Sequence, residues 1–228
     1  MILGVIPARS GSKSVKDKNI RPLGGRPLMA WSIKTALACK QLDKVVVSTD
    51  SQKYANLAKF YGADVVMRSK ELAEDDTTMV QVLQHAIKEI EKTGNKIDLV
   101  VLLDPTSPLK TVEDIASCVR KIQENKVDTV ETVTETEHNP IFIMGTVNTN
   151  GEFVYLFKKQ ALSLTRRQDA PKIYRENAAV LVTTRKMVME KKHLFNGKLM
   201  AVIMPQERSV HIDNLIDWKL AESLIKHE

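Results

Sequence analysis

Small and basic side chains are concentrated in one short segment near the start of the chain. An apolar run from Ile2 to Ile6 is followed at once by the sequence Pro-Ala-Arg-Ser-Gly-Ser-Lys. The small residues let backbone N–H groups approach an anion closely, and nearby cations supply the charge that a polyphosphate requires. Because a strand, a small-residue turn and a helix in succession are the usual context of such sites, the segment predicts a phosphate-binding loop; the alternative is a basic surface turn. The cations are Arg9, Lys13, Lys16 and Lys18.

The spacing of the glycines excludes two common nucleotide-binding motifs. A Walker loop needs four residues between its first glycine and a Gly-Lys-Ser/Thr sequence, but Gly4 and Gly11 are too far apart and a serine follows Gly11. The dinucleotide fingerprint Gly-x-Gly-x-x-Gly does not occur. The Gly24-Gly25 pair lies beyond the loop and predicts the turn before a helix.

Alternating patterns predict the elements that position this loop. Strands that are apolar on both faces and alternate with amphipathic helices predict a three-layer α/β fold with a mostly parallel sheet. The predicted strands are Ile2 to Ile6, Lys44 to Ser48, Asp64 to Met67, Asp98 to Leu103, Asp128 to Val133, Ala179 to Thr183 and Leu199 to Met204. The predicted helices are Pro27 to Cys39, Ser51 to Tyr61, Thr77 to Thr93, Thr111 to Glu124 and Asn214 to Lys226. In the last helix the inward residues are predicted to be Leu215, Trp218, Leu220 and Leu224.

Polar residues follow the predicted strands where each strand ends. The first strand leads to Arg9, the second to Ser48-Thr49-Asp50, the third to Arg68, and the fourth to Asp104 and the sequence Pro-Thr-Ser-Pro. In open parallel sheets the ligand crevice lies outside the carboxyl ends of the strands, so we expect these residues to share one site. From about Glu135 the alternation breaks, and residues 136–175 predict a small inserted subdomain within a single domain spanning residues 1–228.

Composition and charge narrow the class of protein. The chain is 43% hydrophobic and 27% charged, which excludes a disordered or collagen-like chain. The formal charge is +6, but the lysines are dispersed and aromatic residues are scarce, which favours a small polyanionic substrate over nucleic acid. Without a signal peptide or an apolar run long enough for a membrane span, the expected location is the cytoplasm. Cys39 and Cys118 lack metal-ligand spacing and are expected to be buried, reduced thiols.

Seven ordered segments resemble one enzyme family, the acylneuraminate cytidylyltransferases or CMP-sialic acid synthetases. These enzymes join a nine-carbon 2-keto sugar acid to CMP and release pyrophosphate. The segments are Ile6-Pro-Ala-Arg-Ser-Gly-Ser-Lys with Lys18-Asn19, Ser48-Thr-Asp50, Arg68-Ser-x-Glu-Leu-Ala73, Pro105-Thr-Ser-Pro108, Arg166-Arg-Gln-Asp169, Tyr174-x-x-Asn177, and Ile212-Asp213 with Asp217-Trp218.

The resemblance implies a fold of the nucleotide-diphospho-sugar transferase type and a role for each matching position, with Arg9, Lys18 and Arg166 as the catalytic residues. The phosphates and ribose of CTP would be held by Ala8, Arg9, Ser12, Lys13, Lys18 and Asn19, with Arg9 and Lys18 in catalytic roles. The cytosine would be bordered by Arg68 and Thr77, and the sugar acid would be served by Arg166, Arg167 and Gln168. In-line attack on the α-phosphorus requires neutralised phosphate charge and an aligned hydroxyl, and a planar guanidinium can bind the carboxylate of the acid. The alternative for the arginine pair is ordinary surface charge.

Magnesium is the implied cofactor, with Asp213 as the best protein ligand; the alternative for Asp213 is an N-cap of the last helix. Asp217 is expected to serve the first turn of that helix. The sequence departs from the family at three positions, where the usual Gly, Gln and Asp are replaced by Ser14, Asp104 and His211. The hypothesis is that Asp104 restores the lost carboxylate and shares the magnesium with Asp213, while His211 stays outside the coordination sphere. The alternative is that Asp104 binds the hydroxyls of the sugar.

The expected activity is therefore transfer of CMP from CTP to the anomeric hydroxyl of a nonulosonic acid. Alternatives are an eight-carbon acid such as KDO, another sugar, or a nucleotide-binding regulatory module without turnover. The resemblance also implies a homodimer in which residues 136–175 cross to the partner and line its sugar pocket. Phe142, Phe153 and Phe157 would then be interface anchors, or otherwise part of the local core.

Overall fold

A seven-stranded sheet forms the centre of the computed structural model, which describes residues 1–12, 14–136, 138–163, 166 and 170–225. The strands are β1 (Ile2–Pro7), β2 (Pro22–Leu23), β3 (Arg26–Pro27), β4 (Lys44–Thr49), β5 (Asp64–Met67), β6 (Leu99–Leu103), β7 (Thr129–Glu135), β8 (Gly145–Val147), β9 (Phe153–Tyr155), β10 (Tyr174–Thr184) and β11 (Leu199–Ile203). The helices are α1 (Leu28–Ala38), α2 (Gln52–Phe60), α3 (Met79–Glu91), α4 (Val112–Asn125), α5 (Pro140–Ile143), α6 (Lys158–Ser163), α7 (Arg185–Glu190) and α8 (Leu215–Leu224).

The central sheet has the order β11-β7-β10-β6-β1-β4-β5. Its neighbours pair in parallel except β10, which is antiparallel to both β6 and β7. The prediction of a mostly parallel α/β sheet is confirmed. The predicted strands and helices of this sheet end within two residues of the observed ones, apart from β10, which begins at Tyr174 rather than at Ala179. Four of the five extra residues of β10 are exposed and the buried one is Asn177, so they carry no apolar pattern from which a strand could be predicted.

Helices cover both faces of the sheet. One core joins the sheet to α1, α2 and α4, and a second core on the opposite face joins it to α3 and α7. Successive strand residues alternate between these cores, as Val5 and Ile6 do, because neighbouring side chains of a strand point to opposite faces. Cys39 and Cys118 are buried free thiols, as predicted.

Side-chain caps fix where the helices begin near the site. Thr78 and Thr111 form capping boxes at the starts of α3 and α4, and Asn214 does so at α8. Each such cap contributes about 1 kcal/mol to the stability of its helix. The Gly24-Gly25 pair forms the two-residue turn between β2 and β3, just before α1, which confirms that prediction. Both glycines have positive φ, 53° and 83°, as a tight hairpin turn requires.

Helix α8 buries a different face from the predicted one. Leu215, Leu220 and Leu224 are exposed by 52%, 50% and 37%, so their predicted inward position is wrong. Trp218 is buried as predicted, and Ala221 and Ile225, three and seven residues further along, complete the buried face. These residues form a third core with Val15, Leu23, Leu28, Val210 and Ile212, so α8 packs against the segment that follows the phosphate loop.

The segment predicted to be an inserted subdomain contains α5, the β8–β9 hairpin and α6. The hairpin forms a separate two-stranded sheet. Many apolar side chains of the whole segment are exposed to solvent. The exposed residues include Ile143, Met144, Val147, Phe153, Val154, Tyr155, Leu156, Phe157 and Leu162. Within the described part of the chain, none of the helices is both long and apolar enough to cross a membrane.

Candidate active site

A cleft of about 440 Å³ lies at the carboxyl ends of β1, β5 and β6, at the edge where the sequence predicted a shared site. Seven of the predicted site residues line it. They are Arg9, Ser12, Lys18, Asn19, Arg68, Thr77 and Asp104. Residues separated by up to 95 positions in sequence therefore meet in one space, because parallel strands bring their carboxyl ends to the same edge.

The remaining predicted residues lie elsewhere. Ala8 is fully buried beside the cleft, and its N–H donates to the carbonyl of Ser48 at 2.9 Å. Asp213 lines a neighbouring cavity of about 620 Å³ that also includes His211 and Arg175. Arg166 lies on an exposed bend and does not line the cleft. Lys13, Arg167 and Gln168 lie outside the described residues.

Asp50 anchors the phosphate loop through hydrogen bonds from Ser10. Its carboxylate accepts hydrogen bonds from the N–H and the hydroxyl of Ser10, at 2.9 and 2.6 Å. Burial alone would raise the pKa of Asp50, but the two bonds from Ser10 outweigh burial, so the pKa lies below its usual value and the group stays ionised. On the other side, the amide of Asn19 donates to the carbonyl of Arg9 at 3.1 Å. The loop is thus anchored at Arg9 and at Ser10 before any ligand binds.

Arg68 is the most buried cation of the cleft. Only 7% of it is exposed, its Nη1 donates to the carbonyl of Leu72 at 3.3 Å, and its Nε has no hydrogen-bond partner among the described residues. Burial lowers the pKa of Arg68, an effect that the charge of Asp50 partly offsets. A buried N–H without an acceptor on the wall of a polar cleft indicates that a ligand atom supplies the acceptor.

The two predicted catalytic cations of the loop are already engaged by protein groups. Arg9 forms an ion pair with Asp75 at 2.7 Å and reaches the carbonyl of Ala73 at 3.3 Å. Lys18 donates to the carbonyl of Ile212 at 2.9 Å. The second contact ties the phosphate loop to the segment that carries His211 and Asp213.

Asp104 is hydrogen-bonded to Thr106, Thr106 contacts His211, and His211 lies beside Asp213. Asp104 Oδ1 accepts from the N–H and hydroxyl of Thr106, at 2.9 and 2.6 Å. The single hydroxyl proton of Thr106 is then used, so the ring of His211, 3.2 Å away, is the donor to Thr106 Oγ1. His211 Nε2 lies 3.3 Å from Asp213 Oδ1. Asn214 rather than Asp213 caps α8, and Asp217 completes the capping box, which confirms the prediction that Asp217 serves the first turn.

A buried lysine that the sequence analysis did not single out positions the turn after β6. Lys110 is 3% exposed, and its ammonium group donates to the carbonyls of Asp104 and Ser107 and to the hydroxyl of Ser32, at 2.7, 2.6 and 2.7 Å. Burial lowers the pKa of Lys110 to about 7, with the charges of Asp104 and Asp114 opposing that shift. All three N–H groups are used, so the ammonium fixes the backbone that presents Asp104 and Thr106 to the cleft.

The sequence analysis did not assign a positioning role to three residues, for different reasons. Asp50 stood at a strand end, but nothing in the sequence pairs it with Ser10. Asp75 lies in a polar loop without periodicity. Lys110 follows the Pro-Thr-Ser-Pro segment, and a lone lysine beside prolines is normally on the surface.

The donor set for a metal is small. Among the described residues, no three or more His, Cys, Asp and Glu side chains form a group that could hold a metal ion. Of the two carboxylates in the magnesium hypothesis, Asp104 lines the cleft and Asp213 lines the neighbouring cavity. Two carboxylates are compatible with Mg²⁺, which usually keeps several waters and takes its other ligands from substrate phosphates.

Comparisons with known proteins identify the family of this chain. The family model described as cytidylyltransferase matches residues 3–222. The CMP-N,N'-diacetyllegionaminic acid synthase of Legionella pneumophila is 32% identical over 99% of this chain and 96% of its own length. The N-acylneuraminate cytidylyltransferase of Escherichia coli O18:K1:H7 is 32% identical over 96% of this chain, which spans only 51% of that protein.

The fold is also that of a solved enzyme. A CMP:2-keto-3-deoxy-manno-octonic acid synthetase solved with CTP superposes with a TM-score of 0.71, covering 98% of this chain and 97% of its own, at 14% identity. At that identity the likeness establishes the fold alone. The match over nearly the whole chain and the full-length relatives above 30% identity settle the family: this chain belongs to the cytidylyltransferases, nucleotidyltransferases that act on sugar acids.

Proposed function

We propose that this enzyme transfers CMP from CTP to the anomeric hydroxyl of a nonulosonic acid and releases pyrophosphate. The observation that carries the proposal is the cleft in which Arg9, Lys18 and the buried Arg68 converge at the end of β1. The relatives described above are named for legionaminic and N-acylneuraminic acids, which supports a nine-carbon substrate. An eight-carbon acid of the KDO type is the competing substrate.

In this proposal the phosphate loop binds the triphosphate. Arg9 exchanges its bond to Asp75 for a phosphate oxygen, and Lys18 lies where it can meet a second one. Both groups neutralise charge that develops on the α-phosphate and on the departing pyrophosphate. The anchors at Asp50 and Asn19 hold the loop so that little reorganisation accompanies the reaction.

In this proposal the base and the sugar occupy different parts of the cleft. Arg68 and Thr77 border the end assigned to cytosine, and the Nε of Arg68 offers a donor to a carbonyl oxygen of a base. The sugar acid approaches from Asp104, where the cleft opens toward β7 and β10. Its anomeric hydroxyl attacks the α-phosphorus in line with the leaving pyrophosphate.

Magnesium fits the donor set of this cleft. The described lining residues carry three cations, Arg9, Lys18 and Arg68, and three carboxylates, Glu74, Asp75 and Asp104, so they offer a triphosphate no net positive charge. A divalent cation supplies that balance and, when bound, stabilises charge on the phosphate oxygens. Asp104 and Asp213 would hold it, while Thr106 and His211 orient the two carboxylates.

The test is pyrophosphate release with CTP, Mg²⁺ and a panel of sugar acids. We expect turnover with CTP in preference to ATP, GTP and UTP, and with nine-carbon 2-keto acids in preference to KDO. Preference for KDO would correct the substrate. Tight CTP binding by calorimetry without pyrophosphate release from any acid would indicate a regulatory nucleotide-binding module and contradict the proposal.

A further inference from the structure

A second cavity, of about 290 Å³, adjoins the nucleotide cleft. Met79 and Asp104 line both spaces, so the cavity opens directly from the point at which the sugar acid is proposed to bind. Its walls come from the start of α3, from β6, β7 and β10, and from the segment after α7. A sugar seated at Asp104 therefore has room to extend one substituent into it.

An irregularity in β10 shapes this cavity. The pairing of β10 with β7 shifts register between Glu176 and Leu181, and Ala178 has a φ of +52°. Asn177 holds the shifted backbone, since its Oδ1 accepts from Thr132 Oγ1 at 2.6 Å and from the N–H of Ala179 at 3.2 Å. A left-handed alanine in a bulged strand is uncommon, and such features are concentrated beside binding sites.

The floor of the cavity contains a buried acid without a partner. Glu131 lies in the middle of β7, is only 8% exposed, and has no hydrogen-bond donor within reach among the described residues. Glu176, on the neighbouring strand, lines the same cavity. Burial, together with the charge of Glu176, raises the pKa of Glu131 to about 7. A buried carboxyl is normally paired, so Glu131, with the exposed Glu176 close enough to act on its charge, indicates a ligand that donates hydrogen bonds.

The other walls favour a small apolar group. Val80, Leu181, Leu194 and Phe195 face the same space. Lys192 and His193 also line the cavity, but both residues are exposed, and neither forms an ion pair with a carboxylate in the part of the chain that the structure describes. The cavity thus combines an unpaired acidic floor with an apolar wall.

We propose that this cavity binds a positively charged nitrogen substituent of the sugar acid, an amidino group in preference to a neutral acylamino group. The planar N–H groups of an amidinium match a carboxylate as a guanidinium does, and they pair with Glu131 and Glu176. The short alkyl part of the substituent lies against Leu181, Leu194 and Phe195. The inference rests on the proposed function and adds the chemical class that the sugar pocket selects.

The experiment compares two isosteric substrates, nine-carbon 2-keto acids that carry either an acetimidoyl or an acetyl group on the same nitrogen. We expect the wild-type enzyme to use the acetimidoyl acid with a kcat/KM at least about 10-fold higher. In Glu131→Gln and Glu176→Gln the ratio falls to within about 2-fold, while the KM for CTP is unchanged. Glu124→Gln, at an exposed position on α4, is the matched control and should retain the wild-type ratio.

Preference for the acetyl acid, or a ratio that neither glutamate variant alters, would overturn the inference while leaving the proposed function intact. Absence of turnover with every acid would refute the proposed function instead. The inference is then decided by calorimetric titration of the two acids in the presence of CTP. Equal affinities, or no binding of either acid, would overturn it as well.

Discussion

Arg9 has two competing partners, Asp75 and the proposed nucleotide. In the structure its guanidinium pairs with Asp75, whose side chain is half exposed, while its proposed partner is a phosphate of CTP. An exposed ion pair contributes little to stability, about 0 to 1 kcal/mol, so a triphosphate can displace it readily. The pair nevertheless competes with the nucleotide for every binding event.

Removing the competitor should tighten nucleotide binding. We expect Asp75→Asn to lower the KM for CTP two- to five-fold with little change in kcat, since about 0.4 to 1 kcal/mol of competing interaction is lost. Arg9→Ala should lower kcat/KM about 100- to 1000-fold, as the loss of a preorganised donor to a developing oxyanion does. Steady-state kinetics with CTP as the varied substrate measures both effects.

Arg120→Ala is the control, because Arg120 pairs with Glu113 on the exposed side of α4 and neither residue lines the cleft. Its kinetic constants should equal those of the wild type. An Asp75→Asn variant with a raised KM for CTP would show that Asp75 contributes to binding and does not compete for Arg9.

A substitution at Asp104 tests the hypothesis that this residue binds magnesium. If Asp104 and Asp213 share the magnesium, Asp104→Gln should raise the Mg²⁺ concentration for half-maximal activity about 10-fold, since one of two carboxylate ligands is lost. Electron paramagnetic resonance of Mn²⁺ with CTP provides a second measurement that does not depend on turnover. An unchanged Mg²⁺ requirement with an altered preference among sugar acids would assign Asp104 to the sugar hydroxyls instead.

Glu131 gives a pH dependence of stability whose sign can be derived. The pKa is about 7 in the folded protein and 4.5 ordinarily, so between these values the folded state retains a proton that the unfolded state has released. The free energy of unfolding therefore falls as the pH rises from 4.5 to 7, and the loss is complete above pH 7. In Glu131→Gln the side chain does not titrate, so this fall in the free energy of unfolding is absent.

We expect Glu131→Gln to be stabilised relative to the wild type at pH 8, with the advantage shrinking toward pH 5. The pH-dependent part of the difference is on the order of 2 kcal/mol, given about 1.4 kcal/mol per pKa unit and some access of water to the cavity. Urea unfolding at several pH values measures it. A stability difference between the two proteins that does not vary with pH would show that Glu131 titrates normally in the folded state.

At the scale of elements, α8 connects stability to the site. Its buried face, centred on Trp218, packs on Val15 in the segment that follows the phosphate loop, and Arg21 lies over the indole ring at 5.1 Å. The same segment carries Lys18, whose ammonium group reaches the backbone just before α8. A loss of packing at Trp218 should therefore reach the phosphate loop.

Trp218→Ala should destabilise the protein by about 3 to 5 kcal/mol and also raise the KM for CTP. Leu220→Ala, on the exposed face of the same helix, should cost less than about 0.5 kcal/mol and leave the KM unchanged. Urea unfolding and CTP kinetics compare the two variants directly. Equal costs for both would mean that the face predicted from the sequence is buried after all.

The error in α8 shows which parts of the fold could be predicted from the sequence. Apolar alternation located the strands and helices of the central sheet, and their carboxyl ends located the cleft, because these signals depend on local periodicity. In α8 both faces are apolar, so periodicity could not decide which face is buried. Asp50, Lys110 and the bulge at Ala178 depend on contacts across strands, which a single sequence does not encode locally.

At the scale of the whole molecule, the β8–β9 hairpin stands out because its large apolar side chains are exposed. Phe153, Tyr155 and Phe157 are each more than 40% exposed, and an isolated two-stranded hairpin is at best marginally stable in water. A second copy of the chain would cover these side chains, in agreement with the homodimer implied by the sequence. We therefore expect a dimer by light scattering, and a monomer that still binds CTP for the double variant Phe153→Asp, Phe157→Asp.

A dimer would also decide where Arg166 acts. It lies on an exposed bend of the same segment and does not line the cleft of its own chain, so we expect it to serve the sugar acid of the partner subunit. Arg166→Ala and Lys18→Ala should each be nearly inactive alone. When they are unfolded together and refolded, half of the dimers are mixed and each mixed dimer has one intact site, so about a quarter of wild-type activity should return. If Arg166 acts within its own chain, each site of a mixed dimer lacks one of the two residues and the mixture stays inactive.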